Sequence, residues 1–254
     1  LSGGSLSGGL TVTTTGGAIT QSGTLSVGGT AQLNAGGGDI TLGTATVGAL
    51  TATTSGAGDI TQSGGAISAT GAVTLTTGGG VITLSRLDSG NFSATSGGGA
   101  ITLGRGAVSG TLSASTGGGS LGQANGGLVV TGAATLNAVG GLISLNEANN
   151  DWGGTVDLTG GTSQLYSTRN ASATLTLGTV NAGSLDVRTA GGTLNLGGGA
   201  VSGALSARTG GGLLTQASAL SVGGVATLNA TISGNITLAD TGNQWNGLHL
   251  TGNA

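Results

Sequence analysis

The chain has 254 residues, of which 59 are glycine, and it contains no proline, cysteine or methionine. With 5% charged and 2% aromatic residues and a formal net charge of −3, its composition excludes an ordinary globular core, disulfides and thiolate metal sites. The 36% hydrophobic content also argues against disorder.

The first ten residues, LSGGSLSGGL, have neither the charged nor the apolar region of a signal peptide. No later stretch approaches the ~20 consecutive apolar residues that a membrane-spanning helix needs. We therefore expect no membrane insertion, and we expect this chain to be an internal fragment of a longer repeat array.

Triplets of the form I-T-x or L-x-x recur along the chain at spacings of 19 to 22 residues. Their first residues are Ile19, Ile40, Ile60, Ile82, Ile101, Leu121 and Ile143. Residues 24–43 show the whole unit, in which the segments LSV, TAQLNA and ITLG are separated by glycines. Each segment alternates apolar and polar residues, as a strand with one buried side does.

This pattern predicts an all-β fold, a parallel β-helix (β-solenoid) with ~20 residues and three short strands per coil and roughly 12 coils. It predicts one continuous domain over residues 1–254. A sandwich of hairpins is the rival fold, but it does not require similarity between successive units of constant length.

A longer repeat is superimposed on the coils. The phrase LSVGGTAQLNA from Leu25 returns as LVVTGAATLNA from Leu128 and as LSVGGVATLNA from Leu220, and Trp152 and Trp245 are 93 residues apart. Glycine clusters such as 97–99 are expected at the corners, where positive φ angles and close contact between neighbouring coils favour glycine.

Two aspartates occupy the same place in adjacent units. Asp39 lies in GGGDI and Asp59 in GAGDI, so the two carboxylates are expected to stack one strand spacing apart and could attract a cation. The next unit reads GGGVI and supplies no third acid, although calcium takes six to eight oxygen ligands. Two solvated corner carboxylates are the favoured interpretation, and we expect no bound metal and no cofactor.

Asn-rich insertions near 146–154 and 239–247 carry the only tryptophans. The favoured interpretation is a corner loop whose Trp folds back over the aliphatic core and whose Asn side chains cap turn amides. The alternative is an exposed platform for sugar rings, and the candidate ligand-contact residues are then Trp152, Trp245, Asn150, Asn243 and Tyr166.

Catalytic chemistry finds little support in the sequence. Glu147 and Asp151 resemble an acid/base pair, but the second insertion has Thr241 and Gln244 instead. His249, the single histidine, lies in an L-H-L strand pattern and is expected to point outward. We predict no catalytic residues and no enzymatic activity.

The chain has no lysine, and its five arginines are distant from one another in the sequence. They are Arg86, Arg105, Arg169, Arg188 and Arg208. This spacing predicts no basic patch able to neutralise a run of phosphates, so nucleic acid is not an expected partner.

Several of these motifs together resemble the repeat region of filamentous haemagglutinin-type adhesins and exoproteins, which Gram-negative bacteria export by two-partner secretion. The motifs are the G-x-(I/L)-T-(L/Q) units, the L-x-V-x-G-x-A-x-L-N-A phrase, and NDWGG or NQWNG followed by V-x-L-T-G or L-x-L-T-G. The resemblance extends over the whole chain and implies a right-handed helix, secretion to the cell surface and adhesion. It supplies no binding residue.

The function expected from this resemblance is a non-catalytic structural shaft of a secreted bacterial surface adhesin or filamentous exoprotein. Its partners would be an outer-membrane transporter for the full-length protein and surface glycans or receptors on host or neighbouring cells. Unpaired coil edges also predict end-to-end self-association. The alternatives are a self-assembling extracellular filament subunit and a carbohydrate-binding β-helix acting through the Trp insertions.

Overall fold

The structure, a computed structural model, describes residues 1–170, 172, 174–231 and 233–252, and these residues form no helix. The strands are β1 (Gly4–Leu6), β2 (Leu10–Thr13), β3 (Ile19–Thr20), β4 (Leu25–Asn34), β5 (Ile40–Leu42), β6 (Ala45–Thr53), β7 (Ile60–Gln62), β8 (Ile67–Ala69), β9 (Val73–Thr77), β10 (Ile82–Thr83), β11 (Arg86–Ser89), β12 (Phe92–Ser96), β13 (Ile101–Leu103) and β14 (Arg105–Val108). They continue as β15 (Leu112–Thr116), β16 (Leu121–Gln123), β17 (Leu128–Val130), β18 (Ala134–Ala138), β19 (Ile143–Leu145), β20 (Asp151–Trp152), β21 (Thr155–Ser167), β22 (Leu175–Thr189), β23 (Leu194–Asn195), β24 (Gly198–Val201), β25 (Leu205–Arg208), β26 (Leu214–Thr215), β27 (Leu220–Asn229) and β28 (Gln244–Thr251).

The strands stack in parallel as a β-solenoid of about 12 turns, with successive turns about 21 residues apart. We call the three sides of the coil its faces. The first face runs through β3, β5, β7, β10, β13, β16 and β19. The second face includes β8, β11, β14, β17 and β20, and the third includes β9, β12, β15 and β18. The predicted fold class and coil number are confirmed.

The core is a set of aliphatic ladders inside the coils. Along the first face, Ile40, Ile60, Ile82 and Ile101 lie in register and are each 0% exposed. Full burial of one such side chain contributes about 1.5–3 kcal/mol. The period-two alternation in the sequence therefore corresponds to a continuous hydrophobic core along the stack.

The glycine-rich corners are dictated mainly by close approach between coils. A Cβ atom on Gly97 would lie 1.8 Å from the carbonyl oxygen of Gly78 in the preceding coil. Gly97 does not have a positive φ, whereas Gly140, with φ of 72°, does. Both expected reasons for glycine therefore operate, but at different corner positions.

Buried hydroxyl groups close the corners that follow strands such as β9 and β25. The Oγ1 atom of Thr77 donates to the carbonyl oxygen of Gly80 at 2.6 Å, and Thr209 donates in the same way to Gly212 at 2.7 Å. Both threonines are at most 2% exposed. The recurring Thr-x-x-Gly pattern thus supplies a partner for a corner carbonyl that the ladder leaves free.

The order of strand types changes between β21 and β22. In β21, residues 156–160 lie on the third-face strand β18, and residues 163–165 lie on the first-face strand β19. Residues 184–189 of β22, in the next coil, have the sequence pattern of a third-face strand. They pair, however, with residues 162–167, which lie on the first face. On its other edge, β22 pairs with β23, β24 and β25 of the following coil. The strand types therefore advance by one face at this point, while the ladder of parallel strands continues without a break.

Candidate functional site

The first tryptophan lies on a strand, not in a loop. Trp152 ends β20 on the second face, is 1% exposed, and donates its indole Nε1–H to the carbonyl oxygen of Tyr166 at 3.0 Å. The Asn-rich residues before it form a corner of the same length as the corner in the preceding coil, because Ile143 and Asp151 both pair 22 residues back, with Leu121 and Val129. The expected insertion is therefore absent at this corner. The interpretation that Trp152 packs on the core is confirmed, and its prediction as an exposed sugar platform is wrong because the ring is buried.

Asn150 is also buried, at 0% exposure, and all its polar atoms are engaged. Its Oδ1 accepts hydrogen bonds from Gln123 Nε2 at 2.7 Å and from the Leu128 amide at 2.8 Å. Its Nδ2 donates to Gln123 Oε1 at 2.9 Å and to the Leu145 carbonyl at 3.2 Å. The expected amide-capping role is confirmed, and a surface ligand contact by Asn150 is wrong.

The second insertion repeats this arrangement 93 residues later. Asn243 Nδ2 donates to Gln216 Oε1 at 2.8 Å, Gln216 Nε2 donates back to Asn243 Oδ1, and the Leu220 amide donates to the same oxygen at 3.0 Å. Trp245 lies in β28, is half-buried, and packs against the core. Ligand contact by Trp245 and Asn243 stays a prediction.

Tyr166 takes part in a polar cluster on the outer side of β21 and β22. Its hydroxyl donates to Asp186 Oδ2 at 2.8 Å, and the Arg188 guanidinium carbon lies 4.7 Å from the ring centroid. Arg188 Nη2 also donates to Asp186 Oδ2 at 2.7 Å. Since these three side chains satisfy one another, the cluster ties β21 to β22 at the place where the strand types shift.

The pKa values in this cluster follow from those contacts. Burial acts to raise the pKa of Asp186, but hydrogen bonds from Arg188 and Tyr166 outweigh it and hold the pKa below its usual range. Burial and the hydrogen bond to Asp186 raise the pKa of Tyr166. The pKa of Arg188 is also raised, chiefly by its hydrogen bond to Asp186.

The stacked aspartates bind backbone amides of the following coil. Asp39 Oδ1 accepts from the Asp59 amide at 2.9 Å, and Asp59 Oδ1 accepts from the Val81 amide at 2.8 Å. Asp157 and Asp88 do the same for Thr179 and Ala107. Asp39 and Asp59 thus continue the hydrogen-bonded ladder at a corner, and Asp157 and Asp88 do so within β21 and β11. Among the described residues, no three His, Cys, Asp or Glu side chains group closely enough to hold a metal ion.

The candidate acid/base pair also has local structural roles. Glu147 Oε2 accepts from the Gly126 amide at 3.2 Å, which holds this carboxylate against the preceding coil. Asp151 opens β20 beside Trp152 and pairs in register with Val129. His249 is exposed on β28. This arrangement gives no common site for the three residues.

Four glutamines to which no role was assigned from the sequence join neighbouring coils by side-chain hydrogen bonds. Gln62 shows the pattern: its Nε2 donates to the carbonyls of Gly65 at 3.0 Å and Arg86 at 2.9 Å, while its Oε1 accepts from the amides of Ser85 and Arg86. The others are Gln21, Gln123 and Gln216. The sequence contains a signal for them, because ITQ, LGQ and LTQ end segments with the first-face sequence pattern, at a position where other coils have leucine.

Three arginines that are separate in the sequence meet on the surface. Arg86, Arg105 and Arg169 line one open groove of about 460 Å³, together with Asn149 and small residues of the second face. Stacked coils therefore bring arginines that are 19 and 64 positions apart in the sequence onto one surface. The expectation that nucleic acid is not a partner stays a prediction.

Comparison with known families gives one match, to a family described as repeats of unknown function (DUF5649). Four segments match its model: residues 1–46, 42–88, 89–159 and 182–251. The chain belongs to the DUF5649 repeat family. No curated protein and no solved structure matches it.

The last two matched DUF5649 segments correspond to features of the fold. Each contains one of the two tryptophan strands, and each holds one asparagine of a Gln–Asn pair. Residues 160–181, which lie between the two segments, contain most of the shift in strand type. In these two segments, the matched block of coils ends shortly after a Trp strand, whereas segments 1–46 and 42–88 contain no tryptophan.

In the described part of this DUF5649 chain, no helix is long and apolar enough to cross a membrane.

Proposed function

We propose that this chain is a non-catalytic structural shaft of a secreted bacterial surface adhesin or filamentous exoprotein, and that it holds other parts of that protein away from the cell. The full-length protein would use an outer-membrane transporter and would meet glycans or receptors on other cells. One observation carries the proposal: the parallel ladder continues from β1 to β28 through the Asn-rich corners and the shift in strand type.

The less common residues of the chain support the continuity of this ladder. Trp152 and Asn150, two of the candidate ligand-contact residues, are buried and hydrogen-bonded within the stack. Asp39 and Asp59 bond to amides of the next coil, as the corner glutamines do. Side chains used in this way stabilise neighbouring coils, and the stability of such a rod is approximately a sum of nearest-neighbour contributions.

A second candidate is a self-assembling filament subunit. One parallel ladder joins the coils from β1 to β28, and the same strand pairing could join a coil of one copy to a coil of another.

Negative-stain electron microscopy across a concentration series separates the two candidates. A shaft segment gives rods of one length, on the order of 55–60 Å for 12 coils at the strand spacing. A filament subunit gives fibres whose length grows with concentration.

The double variant Leu248→Lys/Leu250→Lys is the matched test, because charge on an edge strand opposes pairing. Shortened fibres in this variant would support the filament, and rods of the same length in both proteins would support the shaft. Ordered fibres of wild-type protein at every concentration would contradict the shaft proposal.

A further inference from the structure

The groove between Arg86, Arg105 and Arg169 has a floor of small residues. Gly106, Ala107, Gly127 and Val129 line it, so side chains of at most three carbons separate the guanidinium groups from the strand backbones. The stem of Arg105 rests on Gly126, where an added Cβ would lie 3.1 Å from Arg105 Cδ. The floor is therefore shallow, and the arginines form its rim.

The stacking of coils sets the length of the groove. Arg86 pairs in register with Arg105, and the register of the next two coils brings Gly127 and Asn149 into the same column. Three strand spacings separate Arg86 from Asn149, which is about 14 Å along the rod. A single small anion cannot reach both ends of a groove of this length.

Arg169 is held at the far end by the buried Asn150. The amides of Thr168 and Arg169 donate to the Asn150 carbonyl at 3.0 and 3.1 Å, and the Asn149 amide donates to Thr168 Oγ1 at 3.2 Å. Asn149 itself has a positive φ of 70°. The segment after β21 is thus fixed over the second face and brings the third arginine to the groove.

The rim carries three arginines, and two aspartates lie beside the floor: Asp88 pairs in register with Ala107, and Asp151 with Val129. Arg86 forms an ion pair with Asp88 at 3.3 Å, and its side chain is still 51% exposed. Arg105 and Arg169 are exposed and form no ion pair within the described residues. Guanidinium groups are forks of donors that match the two oxygens of a carboxylate or the oxygens of a sulfate.

We propose that this groove binds a linear acidic polysaccharide, lying along the rod with its carboxylate or sulfate groups on Arg105 and Arg169 and its hydroxyl groups within reach of Asn149. A peptide fits less well, because the backbone groups of the floor strands are already paired in the ladder and no pocket receives a side chain. The proposed site is independent of whether the chain acts as a shaft or as a filament subunit.

The test is calorimetric titration of the 254-residue chain with polygalacturonate, sulfated dextran, neutral dextran and poly-glutamate at low salt. We expect binding of one or both acidic polysaccharides and none of neutral dextran. Binding of polygalacturonate alone assigns carboxylate as the ligand group, and binding of sulfated dextran alone assigns sulfate. Failure of both to bind would overturn the proposal, and so would equally tight binding of poly-glutamate.

The variant Arg105→Ala/Arg169→Ala should bind at least tenfold more weakly, and 150 mM salt should weaken wild-type binding, because exposed charges are screened. Arg208→Ala is the control: it removes an exposed arginine on β25, outside the groove, and should change affinity less than twofold. An equal loss in Arg208→Ala would show that binding follows net charge and would contradict the site. Circular dichroism confirms that each variant is folded.

Discussion

At the residue scale, the corner glycines divide into those that contact another coil and those that face open space. Gly97 and Gly98 are neighbours in one cluster, yet a Cβ on Gly97 would meet backbone at 1.8 Å and a Cβ on Gly98 would meet nothing within 4 Å. Backbone cannot move aside as the end of a flexible side chain can. The two positions therefore allow a direct comparison.

We expect Gly97→Ala to lower the free energy of unfolding by about 3 kcal/mol, since the overlap must be relieved by displacing a coil. Gly98→Ala should be neutral or stabilise by up to about 1 kcal/mol, because alanine restricts the unfolded chain. Urea unfolding followed by circular dichroism measures both. Equal effects of the two substitutions would contradict the close-approach explanation of the corners.

The Gln123–Asn150 pair gives a second prediction at this scale. Removing one partner leaves buried polar atoms without hydrogen bonds, so Asn150→Ala and Gln123→Leu should each destabilise by about 2 kcal/mol. The double variant should lose less than the sum of the two, because leucine occupies the corresponding position in other coils, for example Leu42.

A double-mutant cycle measured by urea unfolding gives the coupling between the two residues. Additive losses would show that Asn150 and Gln123 act independently. Unchanged stability in Asn150→Ala would contradict the structural role that we assign to Asn150.

At the element scale, β21 and β22 are joined by the Tyr166–Asp186–Arg188 cluster. The pKa of Asp186 is lowered in the folded state, so its contribution to stability is present above the unfolded pKa of about 3.9 and is lost as the pH falls through the folded pKa. The pKa of Tyr166 is raised, so its contribution is present below about pH 10 and is lost above it.

We therefore expect Asp186→Asn to lower stability at pH 7 by about 1 kcal/mol, a value typical of partly exposed ion pairs, and to reduce the further loss between pH 5 and pH 3. Urea midpoints at pH 7, 5 and 3 measure this. Asp39→Asn is the control, because its amide oxygen can still accept the Asp59 amide. An acid loss in Asp186→Asn as large as in wild type would contradict the prediction.

The strands and their faces could be predicted from the sequence because burial alternates with period two and the coil length is nearly constant. The sequence also suggested that Trp152 packs on the core. The shift in strand type at β21 and β22 could not be foreseen, because it depends on which coil residues 156–167 pair with and not on their own pattern. The arginine groove depends on the same stacking, since Arg169 reaches it only through the segment fixed on Asn150.

At the scale of the whole molecule, a stack held by nearest-neighbour contacts should tolerate the loss of a block of coils if the order of faces is kept. Residues 128 and 220 both open strands with the sequence pattern of the second face, and both strands follow a corner glutamine, Gln123 in one case and Gln216 in the other. Deleting residues 128–219 joins equivalent points in the chain and removes the shift between β21 and β22.

We expect the deletion variant to fold into a rod shorter than wild type by about 20 Å, the height of four coils at the strand spacing, and to unfold at a lower urea concentration because fewer interfaces remain. Small-angle X-ray scattering measures the length. Deleting residues 128–209 is the control, because it joins the same point to a glycine corner, places strands of different sequence pattern on one another, and should give a less stable rod than the first deletion. If both deletions fold equally well, the order of the three faces does not govern assembly of the solenoid.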